Sequence, residues 1–94
     1  MSDREKLKQL ELSFTILKQQ AYSKPKLSKQ EKDFLVKGLV QVAEGLSEIM
    51  GNVAFGEGIK EKLATNSRKQ LYGIKKVLDS VDGAIKSAKS VMDT

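Results

Sequence analysis

The chain has 94 residues, of which 39% are apolar and 31% charged, with one proline, no cysteine, no histidine and a net charge of +5. A chain this short makes one domain that buries about 60–65% of its unfolded surface, which leaves little room for a deep substrate cavity. The composition excludes intrinsic disorder, disulfide stapling, thiolate chemistry and a cysteine–histidine zinc site.

The first segment opens on charged residues with no apolar stretch behind them, which is not the pattern of a signal peptide. Beginning with Met1, the chain reads as complete. No run approaches the ~18–20 apolar residues of a membrane span, so a soluble cytoplasmic protein is expected. Leu7, Leu10, Phe14, Leu17 and Ala21 recur at intervals of three and four. An α-helix turns every 3.6 residues, so this spacing gathers them into one stripe and predicts a helix over 3–22. Ser2 with Glu5 matches a capping box at its start. Pro25 interrupts the pattern, because proline lacks an amide hydrogen and disfavours a helical residue before it.

The second segment repeats the pattern with Leu35, Leu39, Val42, Leu46, Ile49 and Val53, and Ser28 with Glu31 supplies another capping box. This predicts a helix over 29–50, closed by Gly51 in the left-handed conformation. Residues 51–58 carry three glycines and read as a helix-to-helix connection. That segment either presents Phe55 as a mobile contact or tucks Val53 and Phe55 beneath the bundle as an end plug. A short helical turn is expected near 58–64. The last segment has Leu71, Ile74, Leu78, Val81, Ile85, Ala88 and Met92 on one stripe, with Ser67 and Gln70 as a third capping pair, and predicts a helix over 67–92. Three helices of about 30, 33 and 39 Å joined by short connections predict an all-α antiparallel three-helix bundle, with a possible short fourth helix, in a single domain over 1–94.

Two basic clusters stand out. Six lysines fall between 18 and 37, including Lys24, Lys26 and Lys29, and a second group includes Lys60, Lys62, Arg68, Lys69, Lys75 and Lys76. Residues 39–58 hold no basic side chain but carry Glu44, Glu48 and Glu57. An antiparallel pairing of the second and last long helices would set the acidic end of one beside the basic start of the other. Lysine-rich surface then accounts for most of the charge, with nucleic-acid binding as the rival reading. Only two arginines and five aromatics argue against base or phosphate readout.

Leu27-Ser-Lys-Gln-Glu-Lys-Asp-Phe-Leu, followed by Ala43-Glu-Gly-Leu, resembles the opening of LuxR-type helix-turn-helix domains. The spacing to Gly45 is longer than in that family, and a glycine-bearing segment stands where its turn and recognition helix belong, so no DNA-reading residue carries over. Lys26-Leu-Ser-Lys-Gln-Glu with the helix and glycines behind it is similar to the C-terminal part of some bacteriocin immunity proteins, which are small, basic helical bundles. Here the segment lies mid-chain with another long helix after it, and a capped helix produces most of the likeness. Neither resemblance assigns a family.

The absence of histidine removes the commonest general base and metal ligand together. Asp79 with Asp82, and Glu57 with Glu61, have spacings ordinary for solvated helix faces. No catalytic residue, metal ligand or cofactor site is expected. The informative residues are apolar ones off the core stripe. Leu12 and Ile16 stack four apart on nearly the opposite side of the first helix, and Phe34 and Val40 lie outside the stripe of the second. Leu12, Ile16, Phe34 and Phe55 are the candidate partner-binding residues. Either Leu12 and Ile16 are scattered surface residues, or they are covered by a second copy, a foreign protein or the 58–64 segment. Gly38 and Gly45, seven apart, mark either a close helix approach or surface drift. The expected function is a non-enzymatic adaptor, inhibitor or regulator docking a macromolecule through helix faces. The alternatives are a basic nucleic-acid-binding regulator and a structural assembly protein.

Overall fold

A computed structural model of the chain describes residues 2–64 and 71–92. These residues form four helices: α1 (Asp3–Ala21), α2 (Lys29–Met50), α3 (Val53–Lys62) and α4 (Leu71–Met92). They pack into an all-α bundle of about 40 × 25 × 19 Å.

The helix ends arise from local hydrogen-bond chemistry. At the start of α2 the Glu31 amide donates to Ser28 Oγ at 3.1 Å while the Ser28 amide donates to Glu31 Oε1 at 2.9 Å. Each satisfies an otherwise orphaned donor, a contribution of about 0.5–2 kcal/mol for such a cap. At α1 only half of the expected box forms, with the Glu5 amide donating to Ser2 Oγ. The pair Ser67 and Gln70 lies outside the described residues.

The connection from α2 to α3 is where sequence and structure part. Gly51 closes α2 at φ 66°, as expected. The Asn52 amide then donates to Ser47 O and the Gly51 amide to Glu48 O, the paired bonds of a Schellman motif. Asn52 also caps α3, since its Oδ1 accepts from the Phe55 amide at 3.3 Å. Two residues thus end one helix and start the next, and α3 begins at Val53 rather than near 58. Residues 53–58 are helical, not a loop. Val53 is 73% exposed at the head of α3 instead of extending the α2 stripe.

Gly56 persists inside α3 because α3 lies tight on α2. A Cβ there would collide with the buried Ser47 hydroxyl. Gly38 and Gly45 play the same part toward α1. A Cβ on Gly38 would sit 2.5 Å from Leu17 Cδ2, and one on Gly45 would sit 2.8 Å from the Leu10 methyls. Close approach, not drift, accounts for both.

Cross-helix pairs give the directions. Lys6 with Glu48, Leu10 with Gly45 and Leu17 with Gly38 make α1 and α2 antiparallel. Gly56 with Ser47 and Lys60 with Glu44 make α3 antiparallel to α2. The Arg4 side chain donates to Met92 O, Lys89 pairs with Glu11, and Lys75 lies over Tyr22, so α4 is antiparallel to α1. Therefore α2 and α4 run in the same direction. The expected antiparallel pairing of these two is overturned, because the chain turns back along α2 in α3 before α4 begins.

The core lies between α1, α2 and α4, with Ile59 and Leu63 closing it from α3 and its end. Leu35, Leu39, Leu46, Ile74, Leu78 and Val81 are its most enclosed side chains. Val40 packs half-buried against it rather than standing outside. Burying a side chain of this size stabilises by about 1.5–3 kcal/mol, so these stripes dominate the fold.

Candidate interaction surface

Over its last three turns the outer side of α1 combines apolar exposure with an absence of charge. Leu12 is 62% and Ile16 55% exposed. Between residues 9 and 20 the exposed side chains beside them are Gln9, Ser13, Thr15, Gln19 and Gln20. The charges of this stretch are Glu11 and Lys18, seven apart and so on one flank. Glu11 shows which flank that is, pairing with Lys89 of α4 at 2.9 Å. Over residues 9–20 this face carries no charge, and one to two turns before Leu12 it meets the exposed Lys8 and Glu5.

The α2 side continues the surface. Phe34 is 54% exposed and stands between two depressions. One is a groove along the α1–α2 seam, with Leu10, Leu17 and Val42 in its floor, Ile16 and Phe34 on its rim, and Ser13, Lys37 and Gln41 as its polar groups. The other, toward the α1–α2 connection, is bounded by Gln20, Ser23, Gln30 and Glu31 above Leu27 and Leu35. Gly38 lets Leu17 lie against the α2 backbone, and both residues line the groove.

The structure therefore brings Ile16 and Phe34 to one groove and sets Leu12 one turn along α1. It does not bring Phe55 to them. Phe55 is half-buried on α3, packed against the core. Ser47, which faces α3, is about 200° around α2 from Gly45, which faces α1. Nor does α3 cover Leu12 and Ile16, so the internal cover expected as one option from sequence is excluded.

The basic residues also regroup. With α2 and α4 parallel, the start of α4 meets the α1–α2 connection. Lys75 Nζ lies 4.6 Å from the Tyr22 ring centroid across that junction. Residues 18–37 and 71–79 carry eight lysines against three carboxylates, while the other described residues carry seven basic and eight acidic side chains. The positive charge is thus concentrated at one pole. Lys26 and Lys29 are exposed there, as is Lys76. Lys24 is engaged with Glu31 at 3.1 Å. Arg68 and Lys69 lie outside the described residues.

The acidic end of α2 is neutralised, but by other helices than expected. Lys6 of α1 reaches Glu48 at 2.5 Å, and Lys60 of α3 reaches Glu44 at 2.8 Å. The Lys6 ammonium lowers the Glu48 pKa below its ordinary value, and the hydrogen bond to Glu44 raises that of Lys60. Glu31 is lowered first by the Ser28 amide and then by Lys24.

Sequence reasoning missed the groove itself and the charged pole. Both need the topology, although the seven-residue spacing of Gly38 and Gly45 was a legible sign of the first. Among the described residues no helix is long and apolar enough to cross a membrane, and no three acidic side chains gather as metal ligands. No protein-family profile matches this chain, and neither does any curated protein or solved structure.

Proposed function

We propose that this chain is a non-enzymatic interaction module that docks a protein partner through the outer face of α1 and the α1–α2 groove. The observation that carries the reading is the exposure of Leu12 and Ile16 on a side of α1 without charge over residues 9–20, with the half-exposed Phe34 of α2 across the groove from Ile16. Interface centres are depleted in charged residues and enriched in aromatic and aliphatic anchors, whereas isolated exposed apolar residues are ordinary. The polar amides and hydroxyls around these three supply a rim able to exchange water for partner hydrogen bonds.

A photo-crosslinking amino acid at Leu12 or Phe34, introduced in the native host, tests this. Discrete adducts are expected there and not from Val53, an equally solvent-accessible control on α3. Adducts of the same pattern at all three positions, or none at Leu12 and Phe34, would refute the reading.

The second reading, a basic nucleic-acid-binding regulator, is favoured by the convergence of lysines at one pole. Its distinguishing property is steep salt dependence, since each neutralised phosphate releases counterions. Assembly into rings or filaments is the signature of the third, a structural protein, and sedimentation reads it directly.

A further inference from the structure

We infer that the α1–α2 groove takes an amphipathic helical segment of a protein partner whose polar flank is acidic. This rests on the docking reading above and names the chemistry of the partner.

Length and shape come first. The groove is lined over residues 10–17 of α1 and 34–42 of α2, which at ~1.5 Å per residue is about 11–12 Å, or two helical turns. Two turns of an amphipathic helix present apolar side chains at positions i, i+4 and i+7 along one line. Leu10, Leu17 and Val42 offer such a line an apolar floor, with Ile16 and Phe34 as walls. An extended strand would bring backbone donors and acceptors to a surface that offers two helices with their own backbone bonds already made.

Charge then selects the flank. The one charged residue lining the groove is Lys37. At its Phe34 end the groove opens onto the pole where eight lysines face three carboxylates. Of those three, Glu31 is occupied by Lys24 and the Ser28 amide. An acidic flank meets complementary potential along this path, and a basic flank meets repulsion.

The same observations weigh against other occupants. Two copies joined about a two-fold axis at the Lys37 end of the groove would set lysine-rich surface against itself, which is repulsive. Nucleic acid would use the pole but leave Ile16 and Phe34 unfilled. The described pole also offers lysine alone, without the guanidinium fork suited to bidentate phosphate contact.

The experiment is a selection from a displayed library of random peptides of about 16 residues, roughly 24 Å as helix, on the immobilised full-length chain. Two variants serve as counter-targets, I16S/F34S and K26E/K29E/K37E. All the altered side chains are exposed, and circular dichroism verifies that both variants retain their helices. Enriched peptides are expected to carry apolar residues at helical spacing with an excess of Asp and Glu. They should bind each variant at least tenfold more weakly, and reselection on K26E/K29E/K37E should return Lys- and Arg-rich sequences instead.

Neutral or basic peptides that still require Ile16 and Phe34 would overturn the acidic flank and leave the docking face standing. Peptides indifferent to I16S/F34S, or no enrichment at all, would overturn both. A wild-type dimer that I16S/F34S abolishes would assign the groove to a second copy and overturn the inference. An oligonucleotide bound more tightly than any selected peptide, and lost in K26E/K29E/K37E, would assign the pole to nucleic acid with the same consequence.

Discussion

Gly38 lies beneath the Leu17 side chain, so close that a single added carbon would stand 2.5 Å from Leu17 Cδ2. Alanine is the better helix former by about 1 kcal/mol, yet the buried Leu17 would have to leave its packed position to admit the new methyl. Overpacking of this kind costs about 1–3 kcal/mol, so Gly38→Ala should destabilise by about 1 kcal/mol net. Gly45 faces the half-buried and more adjustable Leu10, and its alanine variant should cost less. Gly83 has nothing near its missing Cβ, and Gly83→Ala should stabilise by up to ~1 kcal/mol. Urea denaturation of the three ranks them. Equal stabilisation by all three would show that α1 does not close on α2 as described.

Ser47 offers a case where removing a polar group should help. Its Oγ is buried against Gly56 with no hydrogen-bond partner among the described residues. An unmet buried hydroxyl costs about 1–3 kcal/mol in desolvation. Ser47→Ala keeps the small volume α3 needs and should raise stability by roughly 1 kcal/mol, read as a later denaturation midpoint at unchanged slope. A loss of stability would mean that the hydroxyl is satisfied in solution.

Leu12→Ser with Ile16→Ser should leave the monomer nearly unaltered. Both side chains are more than half exposed, so little of the burial worth about 1.5–3 kcal/mol per aliphatic side chain is at stake. Helical content should be retained, with the thermal midpoint within a few degrees of wild type. A marked early melt would place these residues inside the fold and remove them from any interface.

Random duplex DNA should show no measurable complex at ~150 mM salt, despite the concentrated lysines. Any association at low salt should vanish steeply as salt rises, and changing Lys24, Lys26 and Lys29 to glutamine should flatten that slope. A tight complex surviving at ~150 mM would raise the nucleic-acid reading above the docking one.

Stability should be flat across neutral pH and fall on both sides. Glu31 and Glu48 have folded pKa values below their ordinary ones. Their contribution is present above the unfolded value near 4.3 and lost as pH drops through the folded values. Lys60 is raised, so its contribution is present below about 10.4 and lost as pH climbs through the folded value. Between those limits no histidine or cysteine titrates. Thermal melts from acid to alkaline pH read this profile. Glu48→Gln should shrink the acid-side drop, and an unchanged acid limb would mean the Lys6 pair is absent in solution.

The helical class, the start and end of α2 and most of the core were legible because they depend on neighbours within a few residues. Stripes at 3.6-residue spacing, the Ser28–Glu31 box and the left-handed Gly51 are written locally, and the structure places Leu7, Phe14, Leu35, Leu39, Ile74 and Leu78 in the core accordingly. The exposure of Leu12, Ile16 and Phe34 was legible for the same reason. Residues 53–58 were misread because glycine lowers helix propensity locally, and the compensation is distant: Gly56 is required only because Ser47 on another helix lies against it.

By itself the sequence determined that this chain is helical, where its long helices lie and which side chains each helix withholds from its core, since a periodic pattern encodes the face of an isolated helix. Only the tertiary structure decided direction and assembly. One short added helix reverses the path of everything after it, and that reversal sets α4 parallel to α2. The basic start of α4 therefore lies with Lys26 and Lys29 instead of the acidic end of α2, while Phe34 shares a groove with Ile16 and Phe55 does not. Such relations join residues far apart in the chain, and no local propensity carries their sign.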